Sequence, residues 1–427
     1  MANQFSILAQ QLRGSAILGI ADEVRALVAS GQPVLNLTVG DFNPKQFPIP
    51  FDLEEALVAA VRGGESNYPP PNGVEALRRA IMSFHARAGG VAPELNEILV
   101  AAGARPAIYA LYRALVDPGD RVVFGVPNWN NEYYCELVSA QPVAVRCDAS
   151  TGFLPTAEAL RPHLRGARLL ALNSPLNPAG SGFSAEQLGA ICDAVLEENA
   201  RRGEGERPLY LFYDQVYWMI TTPGTTHHNP VTLRPAIAKY TVIVDAISKA
   251  FAATGLRVGW AIAPAPIIRA MNNINGHVGA WAPRPEQIAT AKLLADDAAV
   301  DRAVAVMRRE AAARLQAVYD GLMELKGDGF AVDCLKPQGA IYASARFALH
   351  GQRTSEGAVL TTDDDIRRYL LQAANLAVVP FGAFGAPDSG GWMRLSIGVA
   401  SPSDIEQLMP RLRSAFSALL PQTVAAR

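Results

Sequence analysis

"VIVDAISKAFAATGLRVGW" (residues 242–260) begins as an apolar, β-branched run and ends among glycines, with Lys249 between the two. Val242, Ile243, Val244 and Ala246 surround Asp245, a pattern suited to a strand covered on both faces, as in a parallel sheet. A lysine at the carboxyl end of such a strand stands where open α/β sheets take their ligands. Arg257 follows eight residues after Lys249, flanked by Gly255 and Gly259. A lysine in a sheet-end cleft loses its proton readily and forms a Schiff base with a carbonyl compound. An arginine beside it clamps a phosphate through its planar fork. Together they point to an aldehyde cofactor carrying a phosphate, which is pyridoxal phosphate.

Outward from this stretch, strand-like and helix-like segments alternate from about residue 95 to 265, the sign of a parallel sheet with crossover helices. EILVAAG (97–103), RVVFGVP (121–127), PVAVR (142–146), ARLLALNS (167–174), PLYLFYD (208–214), TVIVDAIS (241–248) and VGWAIAP (258–264) read as strands. Ser184 and Gln187 form a capping box that opens a helix through about Asn199, and Asp52 with Glu55 is expected to cap another. RRGEGERP (201–208) reads as a solvated connection. After residue 284 a single helical stretch is expected to about Leu325, followed by AIYASARF as a strand, DDDIRRYLLQAA as a helix with an acidic first turn, and WMRLSIGV as a strand. Ser401 then starts the last helix with Pro402 at its first position. The expected fold is α/β: a large domain (51–299) with a mostly parallel central sheet and helices on both faces, plus a smaller α+β domain (300–427). Residues 1–50 are expected to join the smaller domain.

Bulk properties narrow the functional class. With 427 residues, two domains are the expectation, and 50% hydrophobic with 18% charged residues is ordinary for a globular enzyme. A formal charge of −2 gives no basic excess for nucleic acid or an anionic membrane, and no uncharged apolar run is long enough to span a bilayer. MANQFSILAQQLRGSAILGI lacks a lysine-rich start before an apolar core, so no secretory signal is expected and the expected location is cytoplasmic. Cys135, Cys147, Cys192 and Cys334 form no CxxC pair and read as free thiols in a reducing compartment. Six histidines include no HExxH spacing, and the adjacent His227 and His228 diverge, so no metal site is expected.

SKAFAATGLRVGW resembles the signature of class I aminotransferases, the aspartate-aminotransferase-like, fold type I pyridoxal-phosphate enzymes: serine, lysine, an aromatic two residues on, then glycine, arginine, glycine. Other segments match that family in the same order. NSPLNPAG (173–180) is similar to its NxPxNPTG turn, and the resemblance implies that Asn177 hydrogen-bonds the cofactor's ring oxygen. YDQVY (213–217) implies Asp214 as the partner of the pyridine nitrogen and Tyr217 as a second donor to the ring oxygen. An acceptor-only carboxylate is what a protonated pyridine requires.

AAGARPAIYAL (101–111) fits the glycine turn whose helix binds the phosphate through the N–H groups of Gly103, Ala104 and Arg105. The commonest family forms carry Ser, Thr or Lys where Arg105 stands, so its side chain either adds a phosphate contact or turns to solvent. Ser248 adds a hydroxyl, although the serine usual near Ala246 is absent. VPNWNNEYY (126–134) implies Trp129 as the aromatic stacked on the cofactor ring. SNYPPPNGVEALRRAI (66–81) implies that Tyr68 reaches the phosphate of a neighbouring subunit, hence a homodimer with shared active sites. WMRLSIG (392–398) implies Arg394 as a bidentate clamp for the substrate α-carboxylate, and LTVGDFNP (37–44) places Gly40 beside it.

The activity implied is amino-group transfer from an L-amino acid to a 2-oxo acid with ping-pong kinetics, aspartate with 2-oxoglutarate being the first expectation. Lys249 is the group that moves the Cα proton. HVGAWAPR (277–284) leaves the side-chain pocket open: Arg284 suits a dicarboxylic substrate, Trp281 an apolar one, and these or His277 are equally read as packing or surface. Rival readings at the same site are a β-eliminating lyase, a decarboxylase or a cyclopropane-forming synthase. A non-catalytic cofactor-binding regulator is a further rival, although no DNA-binding domain has room ahead of residue 30. A plain nucleotide-binding protein lacks a GxGxxG or Walker loop.

Overall fold

The computed structural model describes residues 5–12, 14 and 16–420. Its strands are β1 (Leu35–Asn36), β2 (Ile98–Ala101), β3 (Arg121–Val126), β4 (Gln141–Arg146), β5 (Ala167–Asn173), β6 (Tyr210–Asp214) and β7 (Thr241–Ala246), then β8 (Gly259–Ile262), β9 (Val332–Cys334), β10 (Tyr342–Phe347), β11 (Leu376–Ala377), β12 (Val379–Pro380) and β13 (Trp392–Ser396). Seven of them form one sheet in the order β2-β8-β7-β6-β5-β3-β4. β8 runs antiparallel to both of its neighbours, while β7, β6, β5, β3 and β4 pair parallel in succession. A mostly parallel sheet between helical layers is the α/β fold expected.

Every residue of β7 is buried because both faces of the sheet are covered. Val242 and Val244 pack on one face with Ile108, Leu111 and Phe124. Ile243 packs on the other with Phe84, Trp260 and Leu294. Each such side chain contributes about 1.5–3 kcal/mol on burial, so two-sided cover favours an unbroken apolar run over alternation. The run ends at Ala246, where Ile247–Ala250 form a single helical turn. That turn lifts Ser248 and Lys249 off the sheet's carboxyl edge.

A four-stranded antiparallel sheet, β12-β13-β10-β9, forms the second layer system. β1 pairs in parallel with β11, and Val24 of the helix Ala16–Ala29 packs on Leu371 and Ala377. The helix Asp297–Gly327 serves both cores: Val300 and Val304 pack with the large sheet's cluster, Met307, Leu315 and Leu322 with the small sheet's.

Two local expectations need correction. The helix after Pro50 starts at Phe51 with no side-chain cap, so Asp52 and Glu54 lie in its first turn, complementing the dipole, and the expected Asp52–Glu55 cap does not form. The expected single helix after residue 284 is two, Arg284–Ala295 and Asp297–Gly327; Asp296 in extended backbone caps the second by accepting from the Ala299 N–H. The capping boxes of Ser184, Thr362 and Ser401 form in full. No helix among the described residues is long and apolar enough to cross a membrane.

Candidate active site

The carboxyl edge of the large sheet, the β1 loop and β13 enclose a cavity of about 330 Å³. Lys249, Asp214, Tyr217, Asn177, Trp129, Ser248, Arg257, Ala104, Arg105, Gly40 and Arg394 all line it. Residues from seven separate sequence segments therefore converge on one space.

Lys249 Nζ donates to the Gly40 carbonyl at 2.7 Å. Burial pushes this amine down to about 8; Asp41 opposes the shift and the cations of Arg394, Arg105 and Arg257 add to it. Asp214, at the end of β6, accepts, among the described residues, only the Val216 N–H, at 3.2 Å. Burial raises its carboxyl to about 6, against the pull of that N–H and of Lys249. Asn173 joins this corner: its side-chain amide donates to the Asp214 carbonyl at 3.0 Å, and its Oδ1 accepts the Asn177 N–H at 2.7 Å. Asp245 faces away from the cavity, accepting from the Trp218 indole and the Ala246 N–H, and burial raises it to about 8.

Arg394 sits on β13 and is 1% exposed. Its guanidinium lies between the rings of Tyr342 and Phe384, 4.7 and 4.8 Å from their centroids. One Nη donates to Asn177 Oδ1 at 3.0 Å and the other to the Thr38 carbonyl, while the buried Nε has no partner. Among the described residues no carboxylate pairs with it. A buried cation without a counter-ion is costly, and this one opens onto the cavity.

The anion-binding end depends on two glycines back to back. Gly103 takes φ +91°, and a Cβ there would lie 2.3 Å from Arg257 Nη2; a Cβ on Gly259 would lie 2.5 Å from the Gly103 carbonyl carbon. Only glycine at both positions lets Arg257 and the first turn of the helix Ala104–Leu115 reach the same corner. The expectation for Gly103 itself needs correction. Its N–H donates to the Ala101 carbonyl at 2.7 Å, which leaves Ala104 and Arg105 as the free first-turn donors. The Arg105 side chain faces the cavity and lies over the Trp129 ring, 5.2 Å from its centroid.

Tyr68 is not part of this chain's cavity. It is 83% exposed, with its ring 5.5 Å from Trp281. Arg284 is committed to Glu65 at 2.5 Å and His277 is exposed, so none of the HVGAWAPR residues lines the pocket of its own chain.

Sequence reasoning did not find Tyr342, Thr38, Asn173, Ile17 or Ala21, all of which line the cavity. Tyr342 is the most consequential: its hydroxyl is 2.5 Å from that of Tyr217, and a side chain on Gly40 would collide with it. Its only signal was an aromatic inside a small-residue strand.

A pyridoxal phosphate group fits these residues on the structure's own terms. A depressed lysine amine, an under-bonded buried carboxyl and a cationic corner with free amide donors meet its aldehyde, ring nitrogen and phosphate.

The sequence pattern of the family described as aminotransferase class I and II matches residues 32–412. The aspartate aminotransferase of Rhizobium meliloti (strain 1021) is 31% identical over 412 residues, covering 95% of this chain and 94% of that protein. That of Geobacillus stearothermophilus is 30% identical over 380 residues, 88% of this chain and 91% of its own. The crystal structure of the Rhizobium meliloti aspartate aminotransferase superposes with a TM-score of 0.88 at 30% identity, over 98% of this chain and all (100%) of that one. The Thermus thermophilus aspartate aminotransferase with maleate gives 0.85 at 26% identity, over 96% and 99%.

Proposed function

Because the chain belongs to the aminotransferase class I and II family, whose work is pyridoxal-phosphate-dependent amino-group transfer, we propose that it acts on an acidic L-amino acid, aspartate foremost, with 2-oxoglutarate as acceptor. The observation that carries the amino-acid part of this reading is the buried Arg394, with an unpartnered Nε and, among the described residues, no counter-ion, facing the same cavity as Lys249. The relatives' names and the maleate bound by the Thermus thermophilus enzyme support a dicarboxylic substrate.

Pyridoxal phosphate supplies the aldehyde that carries the amino group between substrates and the ring that withdraws electrons from the substrate Cα. Lys249 would hold the aldehyde carbon, Asp214 the pyridine nitrogen, and Asn177 and Tyr217 the ring oxygen. Ala104, Arg105, Ser248 and Arg257 would hold the phosphate, and Trp129 would cover the ring. Tyr342 orients the Tyr217 hydroxyl through their 2.5 Å contact. Arg394 binds the α-carboxylate with its fork, and the site keeps that pair from water because the guanidinium is sealed between Tyr342 and Phe384. Lys249 Nζ would accept the proton from the substrate Cα and later return it. Its depressed pKa suits that task, since a base works best when its pKa lies near the operating pH.

The test is a half-reaction screen. Aspartate added to the purified enzyme without any 2-oxo acid should bleach the coenzyme's visible band, and steady-state data with both substrates should give parallel double-reciprocal lines. Intersecting lines would count against the ping-pong transfer reading, and pyruvate and ammonia released from serine without an acceptor would point instead to β-elimination.

The same reading makes the chain a homodimer and divides it into a large domain (51–299) and a small one (300–427) completed by residues 1–50. Tyr68, Val61 and Val278 are large apolar side chains left in solvent by a single chain, 83%, 61% and 61% exposed, which supports cover by a second copy. Sedimentation equilibrium should return twice the chain mass; a monomer at micromolar concentration would refute the shared site.

A further inference from the structure

Tyr342 enters the coenzyme pocket from β10 and meets Tyr217, from the loop after β6, hydroxyl to hydroxyl at 2.5 Å. Both side chains are buried, Tyr217 3% and Tyr342 1% exposed. A Cβ on Gly40 would lie 2.5 Å from the Tyr342 oxygen, so the bare backbone of the β1 loop closes over that hydroxyl. Among the described residues neither oxygen has a second hydrogen-bond partner.

Two hydroxyls carry two hydrogens. Burial holds both phenols above their ordinary value; Arg394 opposes that rise in both, while Asp214 adds to it in both and Asp41 adds to it in Tyr342. Lys249 Nζ faces the Tyr217 ring, 5.7 Å from its centroid. Both hydrogens are therefore present at working pH. One lies between the two oxygens, and the other has no acceptor among the described residues. A buried donor of this kind calls for a ligand or water, and a coenzyme ring oxygen beside Tyr217 supplies the acceptor. Once the Tyr217 hydrogen goes to that oxygen, the hydrogen between the tyrosines must come from Tyr342.

We propose that Tyr342 is a positioning residue that acts on the coenzyme through Tyr217: it donates to the Tyr217 oxygen, fixes the direction of the Tyr217 O–H, and strengthens that O–H as a donor to the ring oxygen. This inference rests on the reading of Tyr217 as a ring-oxygen donor. Hydrogen bonds in series polarise one another, so a phenol that accepts one bond donates a stronger one. The Arg394 guanidinium, 4.7 Å from the Tyr342 ring centroid, works the same way by favouring negative charge on that phenol. Tyr342 thus serves the carboxylate fork with its ring and the coenzyme with its hydroxyl.

The coenzyme held by Lys249 changes colour as its linking nitrogen loses a proton. Negative charge on the ring oxygen retains that proton, and each donor to the oxygen loosens it. The experiment is a pH titration of the visible band in holoenzyme of the wild type, Tyr342→Phe, Tyr217→Phe and the double variant. Phenylalanine keeps each ring and removes only the hydroxyl. Tyr217→Phe should raise the midpoint by about 1 pH unit or more, the loss of a charge-assisted bond. Tyr342→Phe should raise it by about 0.5 pH unit, the loss of the polarisation, and should add nothing once Tyr217 is replaced. 3-Fluorotyrosine at position 342, a stronger donor of nearly the same shape, should move the midpoint below that of the wild type. A residue that only packs would shift the midpoint equally in both backgrounds or not at all, and either result overturns the proposal, as does an unmoved midpoint with fluorotyrosine. A wild type that takes up no coenzyme overturns the coenzyme reading itself; a normal wild-type band with additive shifts overturns this proposal alone.

Discussion

Replacing Lys249 by Ala should lower transamination roughly 10⁴-fold or more, since the variant loses both the covalent anchor and the base for the Cα proton. The same variant should still fold, because Lys249 donates one hydrogen bond, to Gly40, and carries no part of the core. Borohydride should fix coenzyme to the wild type and not to the variant; turnover within tenfold of wild type would reject the assignment. The wild type should also show a pH dependence of its own. Only the neutral amine attacks an aldehyde, and an ordinary lysine at 10.5 is neutral in about one molecule in three hundred at pH 8. Lys249, pushed down to about 8, is half neutral there. Coenzyme uptake by the apoprotein should thus accelerate as pH rises through about 8 and level off above it. A rate still climbing steeply at pH 10 would mean that the amine is not depressed.

Arg394→Met should cost roughly 10²–10⁴-fold in kcat/KM for α-amino acids, the loss of two charge-assisted hydrogen bonds in a dry site. Most of the loss should appear in KM, with coenzyme attachment preserved. Arg394→Lys should recover little, because an ammonium cannot reproduce the fork that spans Asn177 and Thr38. Near-wild-type kcat/KM in either variant would remove the carboxylate role and leave Arg394 as a packing residue between Tyr342 and Phe384.

The parts of the fold legible in the sequence were those where one physical demand dominates. β7 and β5 read clearly because burial on both faces forces apolar runs, β-branched in β7, and Ser184 and Ser401 announced their helices because an N-cap must accept a backbone N–H. The break at Asp296 was hidden, since alanine-rich sequence continues on both sides and one aspartate decides it. Around the cavity, Lys249, Asp214, Asn177 and Arg257 belong to compact segments whose spacing carries meaning. Tyr342 and Thr38 acquire their position from β10 and the β1 loop closing over the sheet edge, a contact between distant segments that leaves no local trace. The Gly103 amide was misjudged because the backbone turn centred on Ala102 engages it, and residue names do not specify that turn. Tyr68 and Arg284 fall outside the chain's own cavity, engaged with Trp281 and Glu65.

The hydrogen bond from Arg394 to Thr38 spans 356 positions, and the one from Lys249 to Gly40 spans 209. Closures this long come late in folding, because the entropy of the intervening chain must be lost before the contact repays it. During translation the large sheet therefore emerges with its lysine in place while the carboxylate fork is still unsynthesised. On the proposed assignment, a ribosome-bound chain stalled before β13 would carry the group that holds the aldehyde and lack the one that holds the substrate carboxylate.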